Sequence, residues 1–251
     1  SHRSAWTHAV RSPGVLAAIS AALLFGASTP LAKSLLTSID PWMLAGLLYL
    51  GSGLGLAIYR LATRTSNRTQ LNPGEWRWLA GAVFAGGVVA PVLLMFGLTH
   101  TEASSASLLL NAEGVFTALL AWFAFRENFD ARIALGMAAI VAGAVVLSWS
   151  DSLQAVSWWP SVAILGACFA WGMDNNLTRK VSLAEPTWVA CIKGLVAGTT
   201  NLSLAFVFTP DMTFPALASA GAALLVGFMA YGVSLSLFVV SLRFLGTART
   251  G

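Results

Sequence analysis

A carboxylate in the middle of an apolar run is the first residue in this sequence that needs a chemical reason. Glu113 is the only charged residue between Ala103 and Phe125. An ionised carboxylate at that depth in a bilayer costs about 2.5–3.5 kcal/mol on insertion scales. Desolvation favours its neutral form, so Glu113 could bind and release a proton as a solute enters or leaves. Asn111 stands two residues away on a different helix face, while Ser107 and Thr117 are placed to flank the carboxyl. The competing role is structural: a protonated Glu113 hydrogen-bonded to a neighbouring helix.

A second polar cluster, Asp174, Asn175 and Asn176, interrupts another apolar run. It matches Ser28, Thr29 and Pro30 in the first run, and the pattern predicts a broken helix at both places. Irregular backbone inside a membrane is tolerated only where it meets protein or a wet cavity, so paired interruptions point to a binding site. Direct contact with solute is one role for Asp174. Pairing with Lys193, at similar depth on the next helix, is another, and the two can coexist. Trp171 and Trp122 are candidate cavity walls, and His100 beside Glu102 reads as a solvated histidine at a helix end.

The patterns that would announce an enzyme do not occur. The sequence has no His-Glu-x-x-His zinc signature, no Gly-x-Ser-x-Gly elbow, no phosphate-cradling glycine loop and no metal-spaced Cys/His set. No catalytic residue, metal or other cofactor is expected. Cys168 and Cys191 fall at different depths in apolar runs and read as free buried thiols.

The elements that must position these residues follow from composition. The chain of 251 residues is 57% hydrophobic and 10% charged, with mean hydropathy +0.76, whereas soluble domains carry about 25% charged residues. Apolar runs of spanning length recur along it. They predict eight helices, at about Pro13 to Leu35, Pro41 to Leu61, Trp76 to Leu98, Ala103 to Phe125, Ala131 to Trp149, Trp158 to Lys180, Thr187 to Phe208 and Ala216 to Phe244. Turn signals such as Asp40-Pro41, Asn72-Pro73-Gly74 and Glu185-Pro186 separate several of them. The net charge of +4 comes without a basic cluster interleaved with aromatics, so nucleic acid is not an expected partner.

Charge placement gives an independent test, because Lys and Arg are retained on the cytoplasmic side of short loops. With the N-terminus cytoplasmic, the 14 cationic residues all lie inside except Lys33, at an outer end, and Lys193, within a span. A wrong helix count would invert later loops and destroy that agreement. Tryptophans such as Trp42, Trp76, Trp149 and Trp188 sit near the expected span ends. Glycines in Gly51-Ser52-Gly53-Leu54-Gly55 and from Gly194 to Gly198 are spaced for close helix contact.

The sequence also repeats itself. Phe25-Gly26-Ala27-Ser28-Thr29-Pro30-Leu31-Ala32-Lys33 aligns with Trp171-Gly172-Met173-Asp174-Asn175-Asn176-Leu177-Thr178-Arg179, and Asp40-Pro41-Trp42 with Glu185-Pro186-Thr187-Trp188. The period is about 145 residues. Five spans separate the copies, so the second copy threads the membrane in the opposite sense, the inverted kind of repeat found in many transporters.

These features resemble the EamA-type members of the drug/metabolite transporter superfamily. The resemblance rests on Phe25-Gly26 with Ser28 and Pro30, the Asp40-Pro41 entry to the second helix, Ala103 to Phe125 followed by Arg126-Glu127, and Gly136 to Gly143. It covers the whole chain. It implies an all-α polytopic transmembrane bundle built as an inverted repeat of five helices, with about eight of ten helices present. Residues 1–150 would form the first repeat, and residues 151–251 an incomplete second one of three helices plus the start of a fourth. Where many such proteins carry proline in the fourth helix, Asn111-Ala112-Glu113-Gly114 stands here.

The expectation is alternating-access transport of a small metabolite, an amino acid or related solute, directed toward efflux and coupled to protons. The chamber would lie between helices 1, 3, 4 and 6 and the helices that the second repeat still lacks, and Glu113, Asn111, Asp174, Asn175, Asn176, Ser28, Thr29, Lys193 and Trp171 are the candidate binding or coupling residues. The expected location is the inner (cytoplasmic) membrane, with lipid, solute and protons as partners and a homodimer left open. The alternative is a membrane scaffold or sensor module that transports nothing.

Overall fold

The computed structural model describes residues 13–65, 71–128, 130–148 and 158–250. Among them, eight long helices stand where the apolar runs predict. They are α1 (Pro13–Leu35), α2 (Pro41–Ala62), α3 (Trp76–Thr99), α4 (Ala103–Phe123), α5 (Ala131–Ser148), α6 (Trp158–Arg179), α7 (Pro186–Phe208) and α8 (Leu217–Leu245). A short turn of helix, α9 (Thr247–Thr250), follows. Six of them, α1 to α4, α7 and α8, are long and apolar enough to cross a membrane. The α6 helix has comparable length but ends in the polar run from Asp174 to Arg179. Arg3, Arg11, Arg68 and Trp149, used in the charge and interface reading, lie outside the described residues.

Two helix starts are built alike, about 145 positions apart. Asp40 caps α2 by accepting from the Trp42 and Met43 amides, at 2.9 and 3.3 Å, and Pro41 takes the first helical position. Glu185 caps α7 through the Thr187 and Trp188 amides, at 3.0 and 2.8 Å, ahead of Pro186. Proline is tolerated there because the first amides of a helix have no intrahelical acceptor. Glu185 also pairs with Arg60 of α2. Burial opposes its ionisation, but the Thr187 hydroxyl, the two amides and Arg60 outweigh that and hold the carboxyl below its ordinary range.

The capped helices pack along one another, and their glycines are the reason they can come close. A Cβ on Gly53 would overlap the Leu195 amide nitrogen, and one on Gly194 the Gly53 nitrogen. On the other flank of α2, Gly51 approaches the Leu224 carbonyl and Gly227 of α8 that of Leu48. Small residues let backbones meet in this way where lipid supplies no hydrophobic drive for association. Around this centre α4 packs on α6, α1 on α8 and α3 on α6. The α5 helix packs mainly on α4 and stays largely exposed.

The expected breaks in α1 and α6 are not there, and both helices run through without interruption. Asn176 donates its side-chain amide to Gly172 O within α6, at 2.8 Å, and to Thr117 O of α4, at 3.1 Å. The Asn176 side-chain N–H groups thus find acceptors without the backbone opening. In α1 the Ser28 hydroxyl donates to Phe25 O, in the turn next to Pro30. The irregular backbone lies elsewhere. π-helical turns occupy Val83–Val89 of α3 and Phe228–Val233 of α8, again about 145 positions apart, and α4 is interrupted at Asn111.

Gly53→Ala should cost about 1–3 kcal/mol through overpacking, read as a lower thermal-unfolding midpoint of the detergent-solubilised protein. Gly136→Ala on α5, where a Cβ meets open space, should leave the midpoint unchanged or raise it, because alanine favours a helix interior.

Candidate functional site

The site begins with the π turn of α3. A π turn departs from the regular i→i−4 register and recurs at functional sites, and here its carbonyls accept bonds from three other side chains. Gly86 O takes the Tyr49 hydroxyl of α2 at 2.6 Å and the Trp171 indole N–H of α6 at 3.0 Å. Gly87 O takes the Asn201 amide of α7 at 2.7 Å. In the π turn of α8, Tyr231 O accepts from Ser52 of α2 at 2.9 Å. The bonds at Gly86 fix two aromatic rings over the centre of the bundle.

Two further rings complete an aromatic wall. Phe25 of α1 stands edge-on to Trp171, with centroids 5.3 Å apart, and to Tyr231, at 5.6 Å. Tyr231 meets Tyr49 at 4.8 Å. These four rings line a cavity of about 330 Å³ bounded by α1, α2, α4, α5, α6, α8 and α9. The α3 helix, expected to line the chamber, contributes no lining residue. Its part is played by backbone, since Gly86 O anchors the rings that face the cavity.

The polar floor comes from α4 and α6. Asn175 donates its side-chain amide to Glu113 Oε1 at 2.9 Å and to Thr117 Oγ1 at 3.0 Å. Asp174 Oδ1 accepts from Lys193 Nζ at 2.5 Å and from Thr178 Oγ1 at 2.8 Å. Lys193 is 1% exposed and Asp174 3%, so the two charges are withdrawn from solvent together. A Cβ on Gly86 would overlap the Asp174 carboxylate, and glycine at the π turn therefore leaves the carboxylate its room.

Of the residues singled out from the sequence, Glu113, Asn111, Asp174, Asn175, Thr29 and Trp171 line the cavity. Ser28, Asn176 and Lys193 do not. Ser28 and Asn176 are buried in bonds to main-chain carbonyls, and Lys193 reaches the site only through Asp174. Asn111 turns its amide back to the Ser107 and Leu108 carbonyls of its own helix. Trp122 lies 42% exposed against Phe123, away from the cavity. His100 is exposed but is not merely solvated, because its ring stacks edge-on to Trp159 at 4.8 Å. Cys168 and Cys191 are free and buried.

Tyr49, Tyr231 and Ser234 escaped sequence reasoning. A signal existed for the tyrosines: the chain has only three, and two of them sit among the glycines of α2 and α8.

The architecture is that of a multi-pass helical membrane bundle around a largely apolar chamber that holds two carboxylates, and comparison places it among known proteins. Residues 12–149 match the EamA-like transporter family, and the chain belongs to that family. It is 26% identical over 254 residues to a protein of Methanothermobacter thermautotrophicus described as an uncharacterized transporter, covering 95% of this chain and 74% of the relative. A solved crystal structure shares the fold with a TM-score of 0.70 at 16% identity, covering 93% of this chain and 80% of that one. Membership makes the protein a membrane transporter of a small solute, which implies a carrier and not an enzyme.

Removing one partner of a buried ion pair strands the other charge, at a cost of about 3–5 kcal/mol. Lys193→Met should therefore lower the unfolding midpoint sharply. The double variant Asp174→Asn with Lys193→Met should recover most of the loss, as read by thermal unfolding and by the monodisperse fraction in size-exclusion chromatography.

Proposed function

We propose that the protein moves a small metabolite by alternating access around this chamber, in exchange for or together with protons bound at Glu113. The single observation that carries the reading is the pairing pattern of the two chamber carboxylates. Asp174 is held by Lys193 and Thr178, whereas Glu113 meets one amide and, among the described residues, no cation. A carboxylate so placed in a low-dielectric bundle is stabilised by whatever cationic species reaches it, and the proton is the simplest one. The titratable and charged groups around Glu113 are Asp174 with Lys193 across α6 and α7, Cys168 of α6, Tyr49 of α2 and Tyr231 of α8. Lys193 is already engaged, so Glu113 is the group left to change its charge.

Two inverted halves, residues 1–150 and 151–251, are part of the same reading. Support comes from the features that recur about 145 positions apart: the acidic cap before proline and the π turn. Rocking of one half against the other around a fixed site is how such repeats expose a chamber to either side. The cations at the ends of α2, α4, α6 and α8 favour a cytoplasmic N-terminus in an inner membrane. The resemblance to EamA-type proteins favours small metabolites, amino acids among them, and outward movement.

Protein in liposomes should move protons when solute is added, and transport should vary with pH. Glu113→Gln should remove the pH dependence and the proton flux, with at least a tenfold loss of coupled transport, while folding stays intact by size-exclusion chromatography. A folded Glu113→Gln variant with unaltered pH-dependent transport would refute the coupling.

A further inference from the structure

We infer that the chamber selects a small organic monocation, an ammonium or guanidinium group on an apolar body, over anions and zwitterions of equal size. The inference rests on the carrier reading and narrows its solute class to cations, setting aside the zwitterionic amino acids that the family resemblance favours. The lining contains two acids, Glu113 and Asp174, and no Lys, Arg or His among the described residues. Lys193, the cation nearest to it, donates to Asp174 and Thr178 behind that lining and is 1% exposed. A solute carboxylate would therefore enter a low-dielectric space without a counter-charge and beside a carboxylate of the same sign. A solute cation finds the reverse. Glu113 is the unpaired acid, fixed through Oε1 by Asn175 at 2.9 Å.

The walls favour the same class. Phe25, Tyr49, Trp171 and Tyr231 meet one another at centroid distances of 4.8 to 5.6 Å and all line the cavity. Aromatic faces attract a cation through the ring quadrupole, Trp most strongly, and the attraction grows when the cation is desolvated. The Trp171 N–H and the Tyr49 hydroxyl are both committed to Gly86 O. These two rings are held in place and present apolar faces in preference to hydrogen-bond donors, which an anion would need. Apolar area supplied by Ala18, Ala22, Leu235 and Phe238 suits the body of such a solute.

The test compares three probes of one skeleton: phenethylammonium, 3-phenylpropionate and zwitterionic phenylalanine. Binding to the purified protein is measured by calorimetry, and movement by counterflow in liposomes. Phenethylammonium should bind at least tenfold more tightly than the other two. Glu113→Gln should abolish that preference, and Trp171→Leu should weaken the cation about tenfold. Trp171→Phe, which keeps a ring and should fold if leucine does not, should weaken it less than Trp171→Leu or than Trp171→Ala. Equal binding of the three probes, tighter binding of the anion or the zwitterion, or binding of none overturns the inference. Counterflow separates the two proposals. Transport of phenylalanine or 3-phenylpropionate without the cation keeps the carrier and sinks the cation selectivity. Selective binding of the cation with no movement of any probe supports the selectivity and contradicts the carrier.

Discussion

Backbone polar groups inside hydrocarbon have no water to turn to, and that constraint organises this molecule. Regular helices meet it locally. The π turns of α3 and α8 are the places where other parts of the bundle supply the partners: Tyr49 and Trp171 to Gly86 O, Asn201 to Gly87 O and Ser52 to Tyr231 O. All four donors come from helices other than the one that accepts. The same bonds that satisfy the π-turn backbone therefore hold the rings around the chamber, so the irregular backbone and the site have one cause. Glycine is what permits it, since a side chain at Gly86 would occupy the space of the Asp174 carboxylate.

The charges follow from the same economy. Three cationic side chains of the core and its edges are each tied to an acceptor: Lys193 to Asp174, Arg60 to Glu185, and Lys33 to the Leu98 and Thr99 carbonyls at the end of α3. Asp174 is thus neutralised and fixed, and Glu113 is left as the acid with one neutral donor. An element that both binds and releases a charged species has to be of the second kind. Both acids line the chamber, one tied to a lysine and the other without a cation among the described residues, although both read in the sequence as equally costly insertions into lipid.

Much of the fold was legible because the physics that sets it is one-dimensional. A span needs a length of apolar residues and a signal to stop, and Asp40-Pro41 and Glu185-Pro186 mark starts that α2 and α7 adopt. Glu113 and Asp174 stood out for the same reason, as charges among apolar neighbours. The positions of irregular backbone were not legible. Polar residues in α1 and α6 suggested breaks there, yet side chains such as Asn176 found acceptors across the bundle and the helices stayed whole. The π turns fall instead in runs of small and apolar residues, Val83–Val89 and Phe228–Val233, with nothing polar in the first to betray them. Tyr49 and Tyr231 were passed over because a tyrosine in an apolar helix is unremarkable until the carbonyl or ring it faces is known.

Alternating access requires a chamber that water and solute reach from each side of the membrane in turn. In a variant lacking Cys168 and Cys191, single cysteines replacing Thr29, Ser107 and Ser234, all of which line the cavity, can be challenged with a membrane-impermeant thiol reagent from either face. Labelling from both faces, slowed by a transported solute, is the predicted result. Positions that react from neither face, or that keep reacting at an unchanged rate when the transported solute saturates the protein, would contradict it.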